Sequence, residues 1–230
     1  MSNILALDTS TDACSAALLL DGQILQRFKV EPRRHTHLLL PMVEELLAEA
    51  QISLKALDAI AFGRGPGSFA GIRIATGAAQ GLALAADLPV VPVSTLEAMA
   101  FAADASAGDY LLTALDARMD EVYWCAWQRK GQALQLLVEE QVSAPADMQL
   151  PAAESGNVFA ALGSGWCYRE RMPAALTAVI NDYTTDIYPQ AEAMARLAAA
   201  AVARGEVMTP DDAQPVYLRD QVAWKKKDQQ

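Results

Sequence analysis

The chain nearly repeats itself. The stretch "ALDTSTDACSAALLLDGQ" at residues 6–23 is echoed by "ALDARMDEVYWCAWQRKGQ" at 114–132. Ala-Leu-Asp opens both copies, and Gly22 and Gly131 fall at nearly the same offset from it. Each copy reads as strand, acidic turn, strand, X-Gly turn, strand. Asp21-Gly22 between apolar runs is a strong short-range hairpin signal. A repeated three-strand meander asks for two similar sheets, each opened by an antiparallel ladder.

The segments after the first meander narrow the choice. In "THLLLPMVEELLAEA" (36–50), Leu39, Met42, Val43, Leu46, Leu47 and Ala50 keep helical spacing. Pro41 places the helix start close to Thr36, because proline fits best in a first turn. "LDAIAFG" reads as a buried strand, and "FGRGPGSFAGIRIATGAAQGLALA" (62–85) as a glycine loop running into a charge-poor helix. "LPVVPVS" is a further strand, and Ser94 with Glu97 forms a capping box opening "TLEAMAFAADA". By residue 105 the order is βββαβαβα, the ribonuclease-H-like pattern. In the second half "NVFAALGSG" again runs a strand into a glycine loop, and residues 189–204 form an Ala-rich helix stopped by Gly205. The expectation is an α/β protein, a duplicated ribonuclease-H-like fold in two lobes. Residues 1–105 form the first and 106–230 the second, with the last segment packing back on the first.

Charge restricts the partners. The formal net charge is −10 and the pI about 4.6. A protein that grips nucleic acid alone usually shows a basic face, since phosphate neutralisation supplies most of the affinity. The only basic run is Lys225, Lys226 and Lys227 beside Trp224, so a nucleic-acid role is expected to run through a partner. No apolar run reaches the roughly 18 residues a bilayer span needs. Three widely spaced cysteines without a C-x-x-C pair indicate neither a disulfide framework nor a zinc knuckle. The expected compartment is the cytoplasm, with no membrane partner.

Candidate chemistry is sparse. The glycine loop lacks the Lys-Ser/Thr of a P-loop, and Gly63, Gly65 and Gly67 do not fit G-x-G-x-x-G. A tight turn where two backbones approach closely is the favoured reading. Asp8 and Asp116 stand at corresponding strand ends, where ribonuclease-H-like and actin-like enzymes hold metal and phosphates. Asp8, Thr9 and Ser10 are therefore a candidate nucleotide turn, although Asp, Ser and Thr also cap their own turns by side-chain-to-backbone bonds. His35 and His37, two apart, do not share a helix face as a metal-clamping pair does. No histidine partner can be assigned to Ser68, Cys14, Cys125 or Cys167 from sequence. No catalytic residue and no metal ligand is assigned.

The helix after the loop is more informative. Arg73, Thr76, Gln80 and Asp87 share one narrow polar stripe. Gly77 and Gly81, like Ala75, Ala79 and Ala83, repeat at four-residue spacing, which lets another helix come close. With the over-wide apolar arc of 36–50, this marks a candidate partner interface: Leu39, Met42, Val43, Leu46, Arg73, Thr76, Gly77, Ala79, Gln80 and Ala83. Two accounts fit these positions, a helical interface across a dimer and internal helix packing alone.

"ALDTSTDACSAAL", "HTHLLLP", "FGRGPGSFAGIRIATGAAQGLA", "PVVPVSTLEAMA", "LDARMDEVY" and "PVYLRD" together resemble the TsaB (YeaZ) family of bacterial tRNA threonylcarbamoyladenosine proteins. The chain departs from the family's Thr-Gly-Leu-Arg-Ile-Gly wording at Ala70, Ile72 and Ala75. The resemblance implies an actin-like, two-lobed fold of the acetate/sugar kinase, heat-shock and actin superfamily. It also implies kinship to TsaD, the catalytic transferase subunit. TsaD-like proteins carry two metal-binding histidines four residues apart in a segment similar to "VSTLEAM", where Thr95 and Met99 stand in this chain. By that resemblance the chain is a non-catalytic subunit of the t6A37 transferase complex, scaffolding a TsaD-like subunit together with the ATPase TsaE. ATP and metal belong to the partner subunits, tRNA is reached only through the complex, and the chain alone forms a homodimer through the same two helices. The alternative is a glycoprotease-like peptidase or nucleotide hydrolase acting alone.

Overall fold

The computed structural model describes residues 2–219 apart from 132 and 155; the 225–227 lysine run lies outside them. The first lobe opens with β1 (Ile4–Asp8), β2 (Ala13–Leu20) and β3 (Gln23–Val30). Asp21 and Gly22 both adopt positive φ, 48° and 85°, as a two-residue hairpin turn of primed type requires. Then come α1 (His35–Ala50), β4 (Ala59–Gly65), α2 (Phe69–Ala86), β5 (Val90–Ser94) and α3 (Thr95–Ala102). The sheet order is β3-β2-β1-β4-β5, with β1, β4 and β5 parallel.

The second lobe repeats this scheme. Strands β6 (Tyr110–Arg118), β7 (Glu121–Lys130) and β8 (Ala133–Ser143) form its meander. They are followed by β9 (Phe159–Leu162), the short α4 (Ala174–Thr177) and β10 (Ile180–Thr184). The order β10-β9-β6-β7-β8 is the first sheet's order read from the other end. The duplication in the sequence is thus a duplication of topology. It is incomplete: a 3-10 segment, Ser164–Arg171, stands where the first lobe has α2. A Cβ on Gly165 would press against Val122 and Ala114, and Pro173 stops the segment from lengthening.

Period-two alternation decides which face each strand residue serves. Leu5 and Leu7 of β1 meet Leu39, Val43 and Leu46 of α1 and Ala79 and Ala83 of α2. Ile4 and Ala6 face α5 (Ala191–Ala203), which supplies Ala191, Met194, Ala195 and Ala198. The chain therefore returns to the first lobe from α5 onward. The first-turn amides of α5, orphaned within the helix, bond to strand residues of that lobe: Ala191 N–H donates to Ser15 Oγ at 3.0 Å and Glu192 N–H to Gln26 Oε1 at 2.8 Å. The exchange is reciprocal. Helix α3 packs Leu96, Met99 and Ala100 onto Leu111, Cys125 and Trp127 of the second sheet.

Local expectations differ from the structure in three places. Pro41 lies inside α1, beyond its first turn; both Pro41 and the residue four before it, His37, are exposed, so water can satisfy the carbonyl the proline leaves unpaired. Helix α2 is 18 residues long with mean hydropathy 1.2, enough by length and composition to cross a membrane. Its inner residues Ile72, Ala75, Ala79 and Ala83 are buried in the protein, as in a core helix. Ser94 Oγ accepts from Glu97 N–H at 3.0 Å, as a capping residue should, and also donates to Glu140 of the second lobe.

Glu140 is a pin between lobes, since Arg64 of β4 also reaches it at 2.9 Å. The pair's side chains are 26% and 11% exposed, so removing one partner strands a mostly desolvated charge. Glu140→Ala should lower stability by about 2 kcal/mol, a shift in melting temperature of roughly 6 °C for a chain of this size. Calorimetry checks this; an unchanged transition would mean that the ion pair contributes nothing.

Candidate functional site

The end of β1, the glycine loop and the start of α2 form one unit. Asp8 Oδ2 accepts from Ser10 N–H at 3.2 Å and from Ser10 Oγ at 3.0 Å. Thr9 Oγ1 donates to the Gly71 carbonyl at 2.6 Å, and Ser68 N–H donates to the Ser10 carbonyl at 2.7 Å. The turn therefore lies directly on the loop. A Cβ on Gly67 or Gly71 would overlap the Ser10 or Thr9 carbonyl, and one on Gly63 would overlap Asp8 Oδ1. These glycines serve close backbone approach.

Asp8, Thr9 and Ser10 are all buried, at 0%, 0% and 1% exposure. Asp8 Oδ1 has no hydrogen-bond partner, and burial pushes the carboxyl up to about 7 against the lowering bonds from Ser10. As a candidate nucleotide turn the trio is therefore split. Only Ser10 reaches the wall of the cleft between the lobes, while Asp8 and Thr9 are spent on the packing behind it.

That cleft, about 1010 Å³, is walled by Ser10–Asp12 and the start of α2 from one lobe and by Asp116–Arg118, Ser164 and Cys167 from the other. Asp116, the counterpart of Asp8, sits at its edge, accepting from Arg118 N–H at 2.8 Å, Arg118 Nη1 at 3.0 Å and Tyr168 Oη at 3.2 Å. Neither histidine lines the cleft; both lie on α1, His35 buried and His37 exposed. The Cys14 thiol is pushed up to about 12 by burial and then by Asp8, and burial raises Cys125 as well. Cys167 is also raised, by desolvation and then by Asp116. These directions oppose thiolate formation.

Thr95 and Met99 are both fully buried, with Thr95 Oγ1 unpartnered. Threonine hydroxyl and thioether are poor ligands for a hard or borderline metal. Among the described residues no group of three or more His, Cys, Asp or Glu is arranged to hold an ion.

The helix-face assignment needs correction. Leu39, Met42, Val43, Leu46, Thr76, Ala79 and Ala83 are buried within their own lobe, most of them in one cluster with β1, β2 and β4, and are not available to a partner. Gln80 is half-buried and spends its Nε2 on the Pro210 and Ala213 carbonyls, both at 3.1 Å. Of the ten positions, Arg73 and Gly77 are exposed. The accessible stripe on α2 is Arg73, Gly77, Gly81 and Leu84, with open space around both glycines and Leu84 59% exposed. Leu40 of α1 is 46% exposed.

Comparison with known proteins agrees with this architecture. Residues 29–227 match the family described as "TsaD: tRNA N6-adenosine threonylcarbamoyltransferase". The Escherichia coli protein named tRNA threonylcarbamoyladenosine biosynthesis protein TsaB is 42% identical over 97% of both chains. The Haemophilus influenzae protein of the same name is 40% identical over 97% of this chain and 96% of its own. Among solved structures, Pseudomonas aeruginosa YeaZ superposes with a TM-score of 0.86 at 45% identity, covering 95% of this chain and all of that one. A second Pseudomonas aeruginosa structure, described by its similarity to the peptidase YeaZ, gives 0.89 at 46% with the same coverage. The family match, the end-to-end similarity and the superposition agree: the chain belongs to the TsaB (YeaZ) family, within the wider group of TsaD-type domains.

Proposed function

We propose that this chain takes part in forming threonylcarbamoyladenosine in tRNA as a non-catalytic subunit, holding a TsaD-like transferase in a working shape. The observation that carries the reading is end-to-end similarity to proteins named for that pathway. It is joined to a site whose Asp8, Thr9, Cys14 and Cys125 are committed to packing, while burial and Asp116 raise the exposed Cys167 thiol. Cofactor and metal chemistry then belong to the partners, a TsaD-like subunit and a TsaE-like ATPase. With a net charge of −10, the chain reaches tRNA through the complex in the cytoplasm. The pairing surface in this reading is the exposed stripe of α2, shared between a TsaD-like partner and, when the chain is alone, a second copy. No geometry favours the peptidase reading, for the cleft has serines and a cysteine but no histidine beside them.

Ala79→Glu would be a poor probe, since Ala79 is in the lobe's own core. Gly77→Glu is the informative change. Its side chain enters open space and replaces glycine inside a helix, which favours folding by somewhat under 1 kcal/mol. In a close helix contact it buries an unpaired carboxylate. We expect a protein at least as heat-resistant as the parent that binds a purified TsaD-like subunit about tenfold or more weakly, with the modified nucleoside reduced in cells carrying it. Unaltered binding would place the interface elsewhere. Depletion of the chain with unchanged threonylcarbamoyladenosine, read by mass spectrometry, would sink the functional assignment itself.

A further inference from the structure

After α5 the described residues first follow the first lobe and then leave it. Met208 exchanges two backbone bonds with Val90 at 2.9 and 3.0 Å, and Ala213 is buried. Val216 N–H then donates to the Arg64 carbonyl at 2.7 Å. Tyr217 stacks near Phe69, ring centroids 6.0 Å apart, with the Arg73 guanidinium 3.3 Å above the Phe69 ring. At Arg219 the segment crosses to the other lobe. Its Nε donates to Glu121 at 2.9 Å, and Nη2 donates to the Ala117 carbonyl at 3.1 Å and to the Arg118 carbonyl at 3.4 Å.

The receiving element is unusual. Arg118, Met119 and Asp120 form the β6–β7 tip with φ of 60°, 55° and 59°, three successive non-glycine residues in the left-handed region. Arg219 grips the carbonyls at the entry to that tip, where strained backbone persists only if its surroundings over-determine it. Val216, Tyr217 and Arg219 also line the interlobe cleft.

We propose that residues 213–219 are a latch closing one side of the interlobe cleft, fastened by Arg219 to the strained β6–β7 tip and released at that end. Among the described residues, the hydrogen bonds that fasten the strap to the second lobe all come from the Arg219 side chain. The near end is held by main-chain bonds and a buried alanine, so the far end opens first. Among the described residues, releasing Arg219 leaves the strap beyond Val216 to the contact of the Tyr217 ring with Phe69 and Arg73, and lets the tip relax. The lobes stay joined by Glu140 with Arg64 and Ser94. The latch depends on no partner and stands apart from the proposed role in tRNA modification.

Hydrogen exchange on the full-length chain tests it by comparing Arg219→Ala, Glu121→Gln and the parent. In Arg219→Ala, the 214–219 peptide, read at Val216 N–H, whose bond to the Arg64 carbonyl is the next to open, and the cleft walls at 10–12 and 164–167 should exchange at least tenfold faster, while β1 amides keep their rate. Glu121→Gln, which keeps the carbonyl contacts, should give a smaller increase of about threefold in the same peptides. Unchanged exchange at 214–219 in both variants would overturn the latch. So would β1 accelerating as much as the strap, because the strap would then open only with the whole fold.

Discussion

Gly71→Ala should lower the melting temperature by about 12 °C, whereas Gly77→Ala, six residues along the same helix, should raise it by about 2 °C. At Gly71 a methyl group would enter the space of the Thr9 carbonyl. Both partners are main chain, so neither can move aside by changing rotamer. The Thr9 Oγ1 bond to the Gly71 carbonyl fixes their separation. Relief requires displacing the whole turn, with the buried Asp8–Ser10 bonds broken in the process, for which about 4 kcal/mol is a reasonable scale. At Gly77 nothing lies within 4 Å of the added atom, so only the gain in helix propensity remains. Scanning calorimetry of both variants decides the matter. Equal shifts would mean that the loop glycines serve flexibility rather than close approach.

Those glycines show what the sequence could and could not convey. A cluster of Gly63, Gly65, Gly67 and Gly71 signals close backbone approach, and the absence of a lysine argued against phosphate; neither says what approaches. For Gly63, Gly67 and Gly71 the answer is the turn at Asp8–Ser10, about sixty residues earlier in the chain, and for Gly65 it is the Val216 carbonyl, far later. The duplicated meander was legible because Asp21-Gly22 and Gly131 carry their turn conformations in their residue types. The β6–β7 tip carried no such signal, since Arg118, Met119 and Asp120 are left-handed without a glycine and are gripped by an arginine 101 positions away. The helices misled for a different reason. Periodicity finds an apolar face, but on α1 and α2 the arc is wide, and only the position of the sheet tells inside from outside. Leu39, Val43 and Leu46 turned inward with Ala79 and Ala83, which left the glycine side of α2 exposed. Glu140, the interlobe pin, had no local signal, because its partners come from β4 and β5.

Asp8→Asn should change the pH dependence of stability more than any other single substitution in the cleft region. Burial holds the Asp8 carboxyl at about 7 against 3.8 when exposed, so the folded chain binds this proton more tightly than the unfolded one. The group's contribution is therefore fully present below about pH 4 and is lost as pH rises from there through 7. Above pH 7 a carboxylate with one unpartnered oxygen is buried, at a cost of roughly 4 kcal/mol relative to the protonated form. Asparagine cannot ionise. Its Nδ2 would lack an acceptor where Oδ1 now stands, a penalty of about 1–3 kcal/mol that is the same at every pH. The signature is consequently a slope rather than an offset. Urea denaturation from pH 4 to pH 8 should show the variant less stable than the parent at pH 4, then gaining on it steadily and matching or overtaking it by pH 8. Parallel stability curves across that range would mean that Asp8 ionises normally in the fold, and that the bonds from Ser10 outweigh its burial.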